Sequence, residues 1–238
     1  LNYGNIRTHY YQLTGLGVEK VDLRIGTICH ENGHLLCRFP DMYDYGKRDG
    51  DHEKSQGIGS YCLMGSGNHL NERRTPSPIC GYLRDLAGWI DTEINLNNSG
   101  QYSAQHGDYS TLMKFSTEKP NEYFIIENRT QIGLDSHMPS SGLAVLHCDT
   151  LGSNEWQDGT RNKHYQCALL QADGHMDLEN NQNRGDEGDF FKSYTDVALS
   201  NITTPSSREW DGTDSGLKIS KISAPDPSIN FIVGSIVA

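Results

Sequence analysis

The chain has no apolar run approaching the roughly 20 residues that a membrane-crossing helix requires. Its most apolar end, 229–238, is interrupted by Asn230 and reads as a final strand. Positive charge is scarce: 20 Lys and Arg stand against 31 Asp and Glu, a net charge of −11. That balance argues against nucleic acid or an anionic membrane as partner. No Cys-x-x-Cys pair occurs among the six cysteines, so a thiolate zinc site is not expected. There is no Gly-x-Ser-x-Gly elbow, so Ser141, His147 and Asp149 do not read as a hydrolytic triad. Internal repeats are absent. The chain opens at Leu1 with neither an initiating methionine nor a signal peptide.

At 238 residues the chain can bury a substantial core in one or two domains. Its most informative stretch is His30-Glu31-Asn32-Gly33-His34. Residues four apart share one face of a helix, so the two imidazoles converge on one point. Neutral imidazole is a good ligand for zinc, and Glu31 stands beside the metal position, where a general base is needed. Five letters can recur by chance, so the surroundings matter. Asp22 is a plausible N-cap ahead of an apolar face of Ile25, Ile28, Cys29, Leu35 and Leu36, which predicts a helix over 22–37. Pro40 stops it and turns the chain, which can swing Asp41 back as a third ligand. Asp44 is the substitute for that role, and the bland alternative for Asp41 is a solvated turn carboxylate. Two nitrogens and one oxygen leave a fourth position for water, the mark of a catalytic rather than a structural zinc.

Glycines flank Met64 in Gly59-Ser60-Tyr61-Cys62-Leu63-Met64-Gly65-Ser66-Gly67 and permit a tight turn. A buried methionine is usually only core, but placed shortly after the histidine helix it can floor a metal site, as in a Met-turn. Tyr61 is a candidate second electrophile by position alone.

These motifs, with Phe39-Pro40-Asp41-Met42-Tyr43-Asp44, the stretch Tyr82-Leu83-Arg84-Asp85-Leu86-Ala87-Gly88-Trp89-Ile90, the run Glu122 to Arg129 and the run Gly142 to Asp149, resemble the immune inhibitor A (thuringilysin-like) family of secreted bacterial metallopeptidases. In that family an aspartate replaces the third histidine of other metzincins. The resemblance covers most of the chain. It implies a zinc-dependent endopeptidase, secreted or extracytoplasmic, acting on protein or peptide substrates, with zinc on His30, His34 and Asp41, Glu31 as base and Met64 in the Met-turn. Two departures stand out: Cys37 replaces a glycine usual three residues after the second histidine, and one extra residue precedes Pro40-Asp41. Only 29 residues precede His30, too few for the strands a metzincin-like domain places there, so the expectation is a chain lacking that part and weakly active alone.

The expected fold class is α+β: the C-terminal part of a metzincin-like catalytic domain over 1–93, then a β-sandwich-like domain over 94–238. One short strand or an irregular approach is expected in 1–20, around Tyr3, Tyr10, Tyr11 and Leu13, and a helix over Cys80–Trp89. Strands are expected at Tyr123–Ile126, Leu143–Leu146, Cys167–Leu170, Leu217–Ile222 and Ile229–Val233, separated by turn clusters. Two acidic loops are candidate Ca2+ sites, Asp44, Asp49, Asp51 and Glu53 in one and Asp173 to Asp189 in the other, although neither has EF-hand spacing. His52, His69 and His106 fall in polar loops, and His69 is placed to border a cleft. Among the cysteines, Cys148 and Cys167 can pair across strands, and Cys37, Cys62 and Cys80 lie near the ligand turn. The rival to a peptidase is a non-catalytic binding module carrying a degenerate or truncated peptidase part.

Overall fold

A computed structural model describes residues 2–3, 6–7, 12–15, 19, 22–48, 50–156 and 164–234. Two strands carry the densest apolar runs, β6 (Glu122–Asn128) and β7 (Leu143–Asp149), and every residue of β7 is buried. Side chains alternate between the two faces of a sheet, so a strand buried along its whole length must be covered on both sides. Tyr123, Ile125, Ala144, Leu146 and Cys148 join one apolar core. Phe124, Ile126, Leu143 and Val145 join the other.

The sheet containing them has the order β3-β5-β6-β7-β8, with β3 at Thr92–Asn95, β5 at Thr111–Ser116 and β8 at Cys167–Leu169. Only β3 and β5 run parallel; the other neighbours are antiparallel. A second, four-stranded antiparallel sheet has the order β4-β11-β10-β9, from Gly100–Gln105, Ser228–Val233, Ile219–Ile222 and Tyr194–Leu199. Leu199, Ile219, Ile229 and Phe231 of this sheet close the second core against Phe124, Ile126 and Val145. The first core lies on the opposite face of the five-stranded sheet and takes in Met42, Ile58, Met64 and Leu83. It therefore spans both sides of residue 93. The fold is mixed α+β, dominated by sheet, with few helices. Among the described residues no helix is long and apolar enough to cross a membrane.

All five anticipated strands form. The short pair β1 (Asn2–Tyr3) and β2 (Ile6–Arg7) precedes them, and Tyr10 and Tyr11 lie outside the described residues, as do Asp49 and 235–238. The helices are shorter than their apolar patterns suggest. The first, α1, covers Gly26–Asn32, and Ile25 occupies its N-cap without a side-chain acceptor. Asp22 does not cap it; its carboxylate accepts the Glu19 N–H at 3.3 Å instead. Gly26 starts the helix where the chain crowds its neighbour, since a Cβ there would meet the Asn68 carbonyl oxygen at 2.0 Å. The helix over Cys80–Trp89 is confined to Gly81–Leu86, and Gly88 beyond it takes φ +70°.

After Asn32 the helix widens into a π turn over Gly33–Cys37, and the chain leaves it through Arg38 at φ 61°. A π turn holds one residue more than an α turn. The turn thereby places one more residue ahead of Pro40, and the left-handed position that favours glycine falls on Arg38, one place after Cys37.

Candidate metal centre

The two histidines face the same point because they lie one turn apart, His30 late in α1 and His34 in the π turn. Their Nε2 atoms are 3.2 Å apart. Asp41, carried back by the Pro40 turn, places Oδ1 3.2 Å from each of them. The three atoms form an equilateral triangle.

What surrounds the triangle fixes its chemistry. The His30 Nδ1–H donates to the Leu63 carbonyl at 2.9 Å, and the His34 Nδ1–H donates to the Phe39 carbonyl at 2.6 Å. A carbonyl can only accept, so both rings spend their neutral-state proton on Nδ1 and present a bare Nε2 lone pair inward. Asp41 Oδ2 accepts from the Tyr45 hydroxyl at 2.6 Å. Its Oδ1 is buried without a donor among the described residues. Three lone pairs thus converge in a site where His30 and Asp41 are only 5% and 4% exposed. Such a convergence is repulsive unless a cation occupies it. Tetrahedral zinc with arms of about 2.0–2.1 Å needs ligand atoms about 3.3 Å apart, so the residues fit that ion.

Without a metal, protons take the cation's part. Burial opposes the charged forms of both Asp41 and His30. Contacts with the two imidazoles and Tyr45 outweigh it and hold the Asp41 carboxyl well below the usual carboxylate range. Asp41 in turn raises His30 and His34 above the ordinary histidine value, and Glu31 adds to the effect on His34. Glu31 is half-buried on α1, directly after His30.

Met64 packs against the helix that carries the histidines. It is fully buried, and its sulfur packs where a Cβ on Gly33 would stand, 2.5 Å away. The turn it belongs to also supplies the Leu63 carbonyl that orients His30. Asp44, the rival third ligand, does not approach the triangle. It is buried in the loop, where its Oδ1 accepts from Gly46 N–H at 2.7 Å and its backbone bridges to Ser55.

Tyr61 is not positioned as an electrophile. It is buried, and its hydroxyl donates to Asp189 Oδ2 at 2.6 Å. The phenol at the site is Tyr45, which shares a 2.8 Å hydrogen bond with Tyr43. Burial and then the Asp41 hydrogen bond keep the Tyr45 hydroxyl protonated. Glu155 is a second partner that the sequence does not announce: its Oε1 accepts the Asp41 N–H at 2.8 Å, and its Oε2 pairs with Arg48. Its neighbour Asn154 is wholly buried and donates both to the Met42 carbonyl and to the Cys167 carbonyl.

The remaining sequence candidates fall elsewhere. His147 is buried against Glu122 at 2.8 Å and stacks between Phe124 and Trp210, and among the described residues no serine hydrogen-bonds to it. His106 pairs with Asp135 at 3.2 Å, and His52 is exposed. Of the acidic loops, Asp173, Asp186 and Asp189 bring carboxylate oxygens within 4.8 Å of one another. The six cysteines are thiols.

No family profile, curated protein or solved structure matches the chain.

Proposed function

We propose that the chain hydrolyses peptide bonds in proteins as a zinc-dependent endopeptidase of the immune inhibitor A type, exported from the cell. The observation that carries this reading is the triangle of His30 Nε2, His34 Nε2 and Asp41 Oδ1, 3.2 Å on each side, with Glu31 on the same helix directly after His30. His30, His34 and Asp41 would hold the ion. When bound, zinc brings the pKa of a coordinated water down toward about 7 and polarises the scissile carbonyl. Glu31 takes the proton of the attacking water and passes it to the departing amine. The Leu63 and Phe39 carbonyls lock both rings in the tautomer that ligates, and Tyr45 fixes the Asp41 carboxylate. Met64 supplies the apolar floor. On this reading residues 1–93 belong to a metzincin-like catalytic domain and 94–238 form a β-sandwich-like domain, and the π turn at Gly33–Cys37 is how this chain accommodates its longer ligand loop.

The test is zinc content with casein cleavage, run on the native chain and on Glu31→Gln. Expected are close to one zinc per chain in both and cleavage by the native chain only. Zinc retention with no cleavage of any substrate by the native chain would favour the binding-module alternative. Cleavage by Glu31→Gln at the native rate would remove Glu31 from its role.

A further inference from the structure

A cavity of about 490 Å³ opens beside the metal centre, between the ligand loop and the segment that follows Met64. Tyr43 and Tyr45 form one wall, and Tyr45 is the residue that holds Asp41. Gly65 and Ser66 form another. The lining is strongly cationic in a chain whose net charge is −11: Lys47, Arg48, Lys54 and Arg184 all face it. Arg48 is paired with Glu155. Lys47, Lys54 and Arg184 have no ion-pair partner among the described residues. Among the described residues that line it, the one carboxylate is Asp44, which is buried and accepts from the Gly46 N–H of its own loop.

The lining also holds an orphaned acceptor. The Asn68 carboxamide on its floor is 7% exposed, and its Oδ1 is buried with no donor. His69, beside it, is held below the ordinary histidine value by burial first and then by the charges of Arg184 and Arg73.

We propose that this cavity receives the carboxylate of a glutamate or aspartate side chain next to the scissile bond, so that the enzyme cleaves proteins at acidic residues. This inference rests on the peptidase reading. The three cations attract the carboxylate across the low-dielectric walls, and the position of Tyr45 ties the cavity to the reacting centre through Asp41. Peptide and pocket have complementary charge, which favours selection among substrates more than raw affinity.

The experiment uses the zinc-loaded Glu31→Gln chain, which holds peptides without turning them over, and three dye-labelled hexapeptides followed by anisotropy. One has an internal glutamate and an amidated end. The second replaces the glutamate by glutamine. The third has glutamine and a free C-terminal carboxylate. The glutamate peptide should bind about tenfold more tightly than its glutamine counterpart at low salt, and the advantage should shrink as salt rises. Arg184→Glu, an exposed substitution, should abolish the preference. Equal affinity for glutamate and glutamine, or an unchanged preference in Arg184→Glu, overturns the proposal. So does a preference confined to the free-terminus peptide, which would make the cavity a chain-end site. Cleavage rates of the native chain on the same peptides separate the two readings. Cleavage without an acidic preference sinks the pocket alone, whereas a persistent binding preference with no cleavage sinks the peptidase reading and leaves an acidic-peptide site.

Discussion

Met64 and Gly33 occupy one another's space. The methionine sulfur lies 2.5 Å from where a Cβ on Gly33 would be, so the helix that carries the histidines rests directly on the turn beneath it. Gly33→Ala forces the thioether aside in a fully buried site. The expected cost is about 1–3 kcal/mol of stability, as for other overpacked cores, with weaker metal binding because His30 and His34 flank the glycine. Thermal melting with and without zinc measures both. A variant with unchanged melting and unchanged zinc response would show that the methionine yields freely.

The third ligand is the next prediction. Asp41→Ala removes the oxygen at 3.2 Å from both imidazoles, while Asp44→Ala removes a loop acceptor. Zinc affinity should fall at least a hundredfold for Asp41→Ala and by less than tenfold for Asp44→Ala. Competition with a chromogenic chelator reads both values, and the reverse order would move the ligand to Asp44.

Tyr45→Phe keeps the ring and deletes the hydroxyl that holds Asp41 Oδ2. Partners of metal ligands are worth about 10–100-fold in metal affinity or activity. A loss of about tenfold in zinc affinity is expected, with little change in melting of the metal-free chain. No loss would make the tyrosine a bystander.

Of these residues, His30, Glu31 and His34 are legible in the sequence because a helix writes its geometry locally, in a spacing of four. Asp41 is legible less directly, through Pro40. Tyr45 has only its nearness to Asp41, and Glu155 has no local signal at all, being 114 positions away from the N–H it accepts. The same contrast runs through the fold. Strands β6 and β7 show as apolar runs because both faces are covered. Strand β4, which alternates half-buried and exposed residues up to Ala104, and β9, which is exposed over Thr195, Asp196 and Val197, carry no comparable run. The π turn is invisible to a period-based reading, which extends α1 straight through it. Gly33 reads only as a helix-weakening residue until Met64 is seen beneath it.

Zinc binding should depend on pH in a definite direction. His30 and His34 hold protons above the ordinary histidine value of 6.5, and zinc needs them neutral. For the metal-free fold, a raised folded-state value means stability fully present below about pH 6.5 and lost as pH rises through the raised values. For zinc the sign is opposite: affinity climbs through that same window. The rise in melting temperature on adding zinc should therefore be larger at about pH 8 than at about pH 6. An equal rise at both would show that the imidazoles do not compete with the metal for protons.

Cys148 and Cys167 are direct cross-strand partners on β7 and β8, with sulfurs 3.8 Å apart and both side chains fully buried. Refolding in the presence of a small oxidised disulfide should link them, by exchange that reduces the added disulfide to two thiols. Closing a loop of about 20 residues is worth about 3 kcal/mol in the chain-entropy account. Peptide mapping without reductant identifies the link, and a higher melting temperature than in Cys148→Ser checks its effect. Two free thiols after oxidative refolding would show that the pair stays reduced.

Asn154 and Glu155 clamp the ligand loop from far along the chain, Asn154 reaching the Met42 and Cys167 carbonyls and Glu155 the Asp41 amide. During synthesis both histidines and Asp41 leave the ribosome more than a hundred residues before this clamp exists. On the metal-site reading proposed above, the nascent chain would carry its ligands without a fixed cage and would hold metal loosely and exchangeably. Tight capture would begin only once the segment around Asn154 had docked against β8. Metal retention would then report completion of the sheet, and a chain cut short before Asn154 would be recognisable by the ease with which a chelator strips it.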